Sequence, residues 1–139
     1  MKKTIYFFGL ILLAACTTPS QVVSYQYTRT TQMGKTVITV RQDSTITTTI
    51  GRTGNNRQAI LTEATTWTAL NEAVKEVDFK QIGSLESPTN KRQTDAAPFG
   101  MLSFELKDTT YHSASFDGIT APEMLMPIMN VFKNNVMKH

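Results

Sequence analysis

Side chains of the types used in a catalytic triad lie in one short stretch of the chain: His112, Ser113, Ser115 and Asp117. In a triad, the histidine takes a proton from the serine hydroxyl while the acid orients the imidazole ring. On a β-strand, however, successive side chains leave opposite faces, so His112 and Asp117 would point away from each other. The chain also contains neither a GxSxG nor an SxxK motif. We therefore do not expect this set to assemble into a catalytic site.

The residue types give little support for metal or acid–base chemistry. The two histidines, His112 and His139, lack the HExxH spacing of zinc enzymes, and Cys16 is the one cysteine. Glu72 and Glu76 are one helical turn apart with a lysine between them, which is typical of an exposed helix face. We expect no metal, no cofactor and no catalysis.

The N-terminal segment has the organisation of a secretory signal. Two lysines precede an apolar run at residues 5–12, and the run ends in Leu13-Ala14-Ala15-Cys16. It is shorter than the roughly 20 apolar residues that a transmembrane helix needs, and polar residues follow it directly. The segment resembles the type II signal peptides of bacterial lipoproteins. This resemblance implies cleavage before Cys16 and lipid on its sulfur and new amino terminus, which would hold the protein permanently on a membrane.

The expected organisation is a signal peptide at residues 1–15, a lipidated tether at 16–22 and a single domain at 23–139. Thr17, which replaces aspartate after the lipidated cysteine, resembles the outer-membrane sorting pattern of enteric-type bacteria. The absence of acids just after Cys16 differs from the surface-export pattern of Bacteroidetes-type lipoproteins. These features favour an outer-membrane protein that faces the periplasm.

The charge distribution argues against nucleic acid as a partner. The full chain has a net charge of +3, but loss of Lys2 and Lys3 with the signal lowers it to +1. Nucleic-acid binding normally depends on clustered lysine and arginine, and the sequence has no block of like charges. We therefore expect no nucleic-acid partner.

The first half of the domain alternates apolar and polar residues with the two-residue period of β-strands. Strands are expected near residues 23–28, 36–42 and 45–50, joined by tight turns into a meander. The threonine-rich faces are typical of strands, because a branched Cβ suits a pleated surface, and are a weaker indication of a threonine-array binding surface. Residues 51–57 have the composition of a loop.

Between residues 62 and 78 the period changes to that of a helix. Trp67, Leu70, Val74 and Val77 are spaced by three or four residues, and Thr62 is a suitable N-cap. We expect Trp67 to anchor this helix on the sheet rather than to stack on a ligand. Residues 79–98 show no clear periodicity, and connections of this length tend to be functional or disordered.

A second hairpin is expected after this connection. Leu102, Phe104 and Leu106 share one face of a strand, with polar neighbours on the other face. Asp108-Thr109 supplies the turn, and residues 110–116 form the returning strand.

The chain ends in a second amphipathic helix. Thr120 and Glu123 have the spacing of a capping box, and Pro127 is expected to bend the helix or to make its first turn 3₁₀. The complete order is β-β-β-α-β-β-α. It predicts an α+β fold in which two helices pack on one face of an antiparallel sheet.

Several short motifs occur together in this domain: the Trp67 helix, the loop Pro88-Thr89-Asn90-Lys91-Arg92, and the strand end Ser115-Phe116-Asp117-Gly118 before a Pro-Glu helix. Residues 23–136 thereby resemble uncharacterised small lipoproteins of Bacteroidetes-type bacteria, although Ala96 stands where that group has glycine. The resemblance implies no activity. It does indicate a polar cluster of five residues: Asn90, Lys91, Arg92, Asp95 and Asp117.

The polar cluster has a structural and a functional interpretation. In the structural one, Lys91 or Arg92 pairs with one of the two acids and holds the long connection over the sheet. In the functional one, the cluster binds a carboxylate, a glycan or a protein, for which the planar guanidinium of arginine is well suited. Replacement of Arg92 by alanine would separate the two through its effect on thermal stability.

These observations favour a lipid-anchored envelope protein that works by binding, as an accessory or inhibitor-like module with an envelope protein or glycan as its partner. Two other classes stay open. A small envelope hydrolase would require a cleft containing a base with a perturbed pKa. A structural subunit of a membrane assembly would require a large exposed apolar patch.

Overall fold

The computed structural model describes residues 21–138, and these fold around a seven-stranded antiparallel sheet. The expected signal peptide at residues 1–15 and the lipid on Cys16 fall outside this range. The strands are β1 (Val22–Thr31), β2 (Gly34–Val40), β3 (Ser44–Gly51), β4 (Gly54–Leu61), β5 (Phe99–Leu106), β6 (Thr110–His112) and β7 (Phe116–Asp117). Their spatial order is β4-β3-β2-β1-β5-β6, and β7 also pairs with β5.

The helices of the described range are α1 (Ala64–Ala73), α2 (Lys91–Thr94) and α3 (Met126–Val131). Turns of 3₁₀ helix occur at Val74–Glu76, Ile82–Ser84 and Glu123–Leu125, and a π-helical turn follows α3 at Phe132–Val136. The predicted α+β fold with an antiparallel sheet is confirmed. Within residues 21–138, no helix has the length and apolar character needed to span a bilayer.

The core lies between one face of the sheet and the two longer helices. Tyr25 and Tyr27 of β1 pair with Phe104 and Leu102 of β5, and all four side chains are buried. The Trp67 ring of α1 lies edge-on to the Tyr25 ring at 5.5 Å, as expected for the residue that anchors this helix. Helical and 3₁₀ residues complete this core: Leu70, Val74, Ile82, Leu125, Ile128, Met129 and Phe132.

The stretch expected to be a loop at residues 51–57 is instead a hairpin turn and the start of β4. Arg52 and Thr53 form the turn between paired Gly51 and Gly54, and β4 continues from there to Leu61. All eight β4 residues are exposed, so the strand has no apolar alternation that could have revealed it. Hydrogen bonds to β3 hold it in place rather than burial.

Thr45, Thr47 and Thr49 of β3 face the helices, whereas Thr48 lies with the two isoleucines on the opposite face. Thr45 is paired with Val40 and Thr47 with Ile38, whose side chains belong to the core face. Ile46 therefore lies on the opposite face of the sheet. As a result, the helix-side face changes from apolar at β1 and β5 to polar at β3.

The helix starts differ from the two capping predictions. The N-cap of α1 is Glu63 instead of the predicted Thr62, and its side chain makes no capping bond. The Thr62 hydroxyl bonds to the hydroxyl of Thr45 at 2.8 Å. Thr120 likewise does not cap the last helix; its backbone N–H bonds to the Asp117 carbonyl, and Pro122 is the N-cap. The expectation for Pro127 is confirmed, since 3₁₀ turn Glu123–Leu125 precedes α3.

Candidate functional site

The long connection at residues 79–98 is folded. Ile82 is fully buried, and its carbonyl accepts a hydrogen bond from the Ala114 backbone N–H at 3.0 Å. Further along, α2 begins at Lys91 and contacts the short strand β7. The connection is therefore attached to the sheet at two separate points, and the second of them is the polar cluster.

The Asp117 carboxylate is the centre of the cluster. Its Oδ2 accepts bonds from the Thr89 hydroxyl at 2.5 Å and from the Lys91 backbone N–H at 2.7 Å. Its Oδ1 accepts bonds from the Arg92 backbone N–H and from Arg92 Nη1, both at 3.0 Å. The backbone donors are the free amides of the first turn of α2, so Asp117 satisfies groups that a helix start leaves unpaired.

The guanidinium of Arg92 is fixed from several sides. Besides Asp117, its Nη1 donates to the Thr89 carbonyl at 3.0 Å and to Asn90 Oδ1 at 3.4 Å. The group also lies over the Phe99 ring, 6.0 Å from its centroid. The side chains of Arg92 and Asp117 are only 10% and 7% exposed. This ion pair is therefore buried and hydrogen-bonded to its surroundings, which is the arrangement that a buried charge requires.

Opposing effects act on the pKa of Asp117. Burial alone would raise the pKa of this carboxyl, but the bonds from the Thr89 hydroxyl, the Arg92 amide and guanidinium, and the Lys91 amide together hold it well below its usual range. The carboxylate therefore stays ionised in the folded protein at pH values where it would be protonated in the unfolded chain.

This lowered pKa predicts a specific acid sensitivity. The stabilisation by the Asp117 carboxylate is complete above its unfolded pKa of about 4 and is lost as the pH falls toward the folded value. We expect the urea midpoint of the wild type to fall more steeply between pH 4 and pH 2 than that of Asp117→Asn. Equal slopes in the two proteins would contradict the assignment, because all other carboxyl groups are shared.

The structure joins four of the five residues of the expected cluster. Arg92 and Asp117 form the ion pair, Asn90 accepts a bond from Arg92, and Lys91 contributes its backbone N–H. Asp95 is exposed at the C-terminal end of α2 and has no ion pair within residues 21–138. The side chains of Asn90, Lys91 and Asp95 therefore form the accessible rim of the cluster.

Thr89 is a part of this site that the sequence interpretation missed. Its hydroxyl and its carbonyl bind the two members of the ion pair, Asp117 and Arg92 respectively. A hydroxyl residue just before a helix start is a recognisable signal. Here, however, the hydroxyl bonds to a distant carboxylate rather than to the helix amides.

The residues that suggested a triad have separate partners. Ser113 Oγ accepts the Leu102 backbone N–H and donates to the Ala114 carbonyl, while Asp117 is occupied by the polar cluster. His112 instead bonds through Nδ1 to Ser103 Oγ, its directly paired residue on β5, at 2.8 Å. The turn expected at residues 108–109 would have paired His112 with Glu105; the observed turn lies one residue earlier, at 107–108, and so brings His112 opposite Ser103.

The Ser103–His112 pair lies at a shallow cleft of about 190 Å³ on the sheet face away from the helices, near Glu105. A serine hydroxyl bonded to a histidine is the first contact of a nucleophile–base pair. Ser103 is only 3% exposed, however, and no other described side chain hydrogen-bonds the His112 ring. The pair lacks both access for a substrate carbonyl and the third, orienting group.

A second accessible surface occupies the helix-side face where β3 and β4 extend beyond α3. It is a groove of about 430 Å³ with hydroxyl and amide groups on the sheet, apolar side chains at its edges and the C-terminal π-helical turn along one side. We call it the threonine groove. Its lining comprises Thr36, Ile38, Thr45, Thr47, Gln58, Ile60, Val136 and Met137.

The described residues contain no cluster suited to a metal ion, since no three of their histidine, aspartate and glutamate side chains converge. Every buried side-chain nitrogen or oxygen in this part of the chain has a hydrogen-bond partner. The candidate contact groups are therefore those at the surface, on the rim of the polar cluster and in the threonine groove.

Comparison with known proteins gives no match: no protein-family model, curated protein or solved structure corresponds to this chain at a significant level.

Proposed function

We propose that this chain is a lipoprotein of the bacterial cell envelope that binds a partner and catalyses no reaction. Lipid on Cys16 holds it on the outer membrane, and residues 23–139 face the periplasm as one domain. Support for the anchor comes from the sequence Leu13-Ala14-Ala15-Cys16 after a basic and apolar segment. The role needs no cofactor, and the partner is an envelope protein or glycan.

The observation that carries the binding role is the uncovered part of the sheet. The helices bury the face of β1 and β5, whereas β4 is exposed over its full length beside the threonine groove. Concave surfaces with a few placed polar groups and apolar edges are the usual form of binding sites. The rim of the polar cluster, Asn90, Lys91 and Asp95, is the second surface that fits a binding role.

The proposal is tested in two steps in the native host. Mass spectrometry of the purified protein is expected to show cleavage before Cys16 and acyl chains on that residue, with Cys16→Ser as the unprocessed control. A photo-crosslinking amino acid is then placed at Gln58 in the groove, and separately at Gln93 on the exposed side of α2. We expect Gln58 to capture a specific envelope component.

Capture from Gln93 alone would move the binding site to the polar cluster. Unmodified Cys16 with the leader still attached would remove the envelope role. If neither position captures a partner and the pure protein turns over an envelope substrate, the non-catalytic proposal is wrong.

A small envelope hydrolase is the alternative function, and the contact between Ser103 Oγ and His112 Nδ1 is the observation that favours it. It would require that Ser103 become accessible and that an acid, such as the nearby Glu105, orient the ring. Loss of a measured hydrolysis in both Ser103→Ala and His112→Ala would establish this alternative.

A further inference from the structure

The free edge of the sheet at β4 is unusually open. Its register with β3 runs without a shift from Ser44–Leu61 to Gly51–Gly54, so no β-bulge interrupts it. The strand contains no proline, and Arg57 is its single charged residue. Sheet edges normally carry a bulge, a proline, several charges or a covering element that prevents another strand from pairing. Leu61, at the end of this edge, is 86% exposed.

The hairpin geometry identifies the backbone groups that a further strand would use. Because Gly51 and Gly54 flank a two-residue turn, they form a hydrogen-bonded pair, and bonded pairs then alternate along the ladder. The N–H and C=O groups of Asn56, Gln58 and Ile60 therefore point to β3. Those of the intervening residues point out to the free edge: Asn55, Arg57, Ala59 and Leu61.

The charges of the first four strands favour an acidic partner. Residues 22–61 contain five basic side chains and one acid, Asp43, whereas acids outnumber basic residues in 62–138. Arg41 forms an exposed ion pair with Glu105 at 3.8 Å. The other four basic side chains have no ion pair within residues 21–138: Arg29, Lys35, Arg52 and Arg57. Lys35 and Arg57 lie on the same face of the sheet, and an unbalanced surface of this kind attracts and orients a partner of opposite charge.

The threonine groove provides room for alternate side chains of an added strand. Gln58 and Ile60 belong to both β4 and the groove, and a neighbouring strand would lie about 4.8 Å from β4. Side chains on the helix-side face of that strand would extend beside Ile60 and toward Met137. Those on the opposite face would lie beside Arg57. An extended segment bound here would therefore place its apolar side chains on one face and its acidic side chains on the other.

We propose that the edge of β4 binds an extended acidic peptide segment of a partner protein as an eighth, antiparallel strand, with apolar side chains toward the threonine groove and acidic ones toward Arg57. Backbone bonds supply affinity and the two rows of side chains supply specificity, as in other cases of strand addition. The inference rests on the proposed binding role and names the chemistry of the partner.

The test uses the mature lipidated protein in detergent micelles and a labelled ten-residue peptide of alternating glutamate and valine. A peptide of alternating lysine and valine is the control. We expect saturable binding of the acidic peptide that weakens with added salt, and slower hydrogen exchange at the amides of Asn55, Arg57 and Ala59. Equal binding of both peptides, or no change in exchange at these amides, would overturn the proposal.

Two variants separate strand pairing from a general electrostatic effect. Ala59→Pro removes an outward-facing N–H without breaking the ladder to β3, since proline is tolerated on the solvent side of edge strands. We expect it to weaken peptide binding at least tenfold, whereas Ala59→Val, which keeps the N–H, stays within about twofold of wild type. An unchanged affinity in a folded Ala59→Pro protein would overturn the proposal.

Association of the protein with itself in the absence of peptide, abolished by Ala59→Pro, would identify a second copy as the occupant and overturn the acidic-peptide assignment. Failure of the peptide to bind, together with capture of an envelope component from Gln58 in cells, would reject this partner class and leave the binding role intact. If the peptide does not bind and Gln58 captures no envelope component in cells, both the acidic-peptide proposal and the binding role are rejected.

Discussion

Replacing Arg92 by alanine is expected to lower the melting temperature of the mature protein by about 10 °C or more. The change removes a guanidinium that bonds the Asp117 carboxylate, the Thr89 carbonyl and Asn90, and it leaves the carboxylate buried with half of its Oδ1 partners missing. Removing one partner of a buried ion pair costs far more than the pair itself contributes, because the remaining charge stays desolvated. Circular dichroism during heating measures the effect.

Two controls accompany this variant. Lys91→Ala removes an exposed side chain from the same cluster but keeps the backbone N–H that Asp117 uses, so we expect a change of less than about 2 °C. Arg92→Lys keeps the charge but loses the planar guanidinium, and its melting temperature should fall between those of Arg92→Ala and Lys91→Ala. An unchanged melting temperature in Arg92→Ala, together with loss of a captured partner, would instead support the binding interpretation of the cluster.

Substitution of Gly100 by alanine is expected to destabilise the fold by about 3 kcal/mol. Gly100 of β5 is paired directly with Phe116 of the antiparallel strand β7. An added Cβ would lie 2.6 Å from a ring carbon of Phe116 and would overlap the backbone carbonyl oxygen of Gly118. Phe116 is fully buried and cannot move aside, so the two strands must separate. That separation would also displace Asp117 from α2.

Gly83→Ala is the matched control, because its added Cβ would meet the His112 carbonyl oxygen at an ordinary 3.6 Å. Urea unfolding of both variants gives the comparison. If Gly100→Ala is as stable as Gly83→Ala, β7 is not held against β5 in the way described above.

The parts of the fold that the sequence predicted are those where burial imposes a pattern. The alternation around Tyr25 and Tyr27, and again around Phe104, identified the central strands because one side of each must face the core. The helix of Trp67 was predicted for the same reason. Strand β4 was missed because it buries nothing, and its position depends on backbone bonds to β3 that have no sequence periodicity.

The polar cluster was predicted only in part, because Asp95 lies apart from the ion pair and Thr89 was missed. The predicted pairing was between Lys91 or Arg92 and either Asp95 or Asp117, so neither the basic partner nor the acid was determined. That choice depends on β7, a two-residue strand whose place beside β5 is set by the space at Gly100. Contacts that depend on such a close approach of two backbones cannot be predicted from residue spacing alone.

The position of β1 has a mechanical consequence. The described chain begins at Gln21 and enters the sheet through β1, which lies between β2 and β5 and is paired with both. A pull from a tether on the N-terminal side would therefore act along a central strand. The backbone bonds of both ladders would share that load simultaneously in shear, rather than opening one after another as when an outer strand is peeled away. A pull on the N-terminal side of the domain would thus be resisted by the β1–β2 and β1–β5 ladders together.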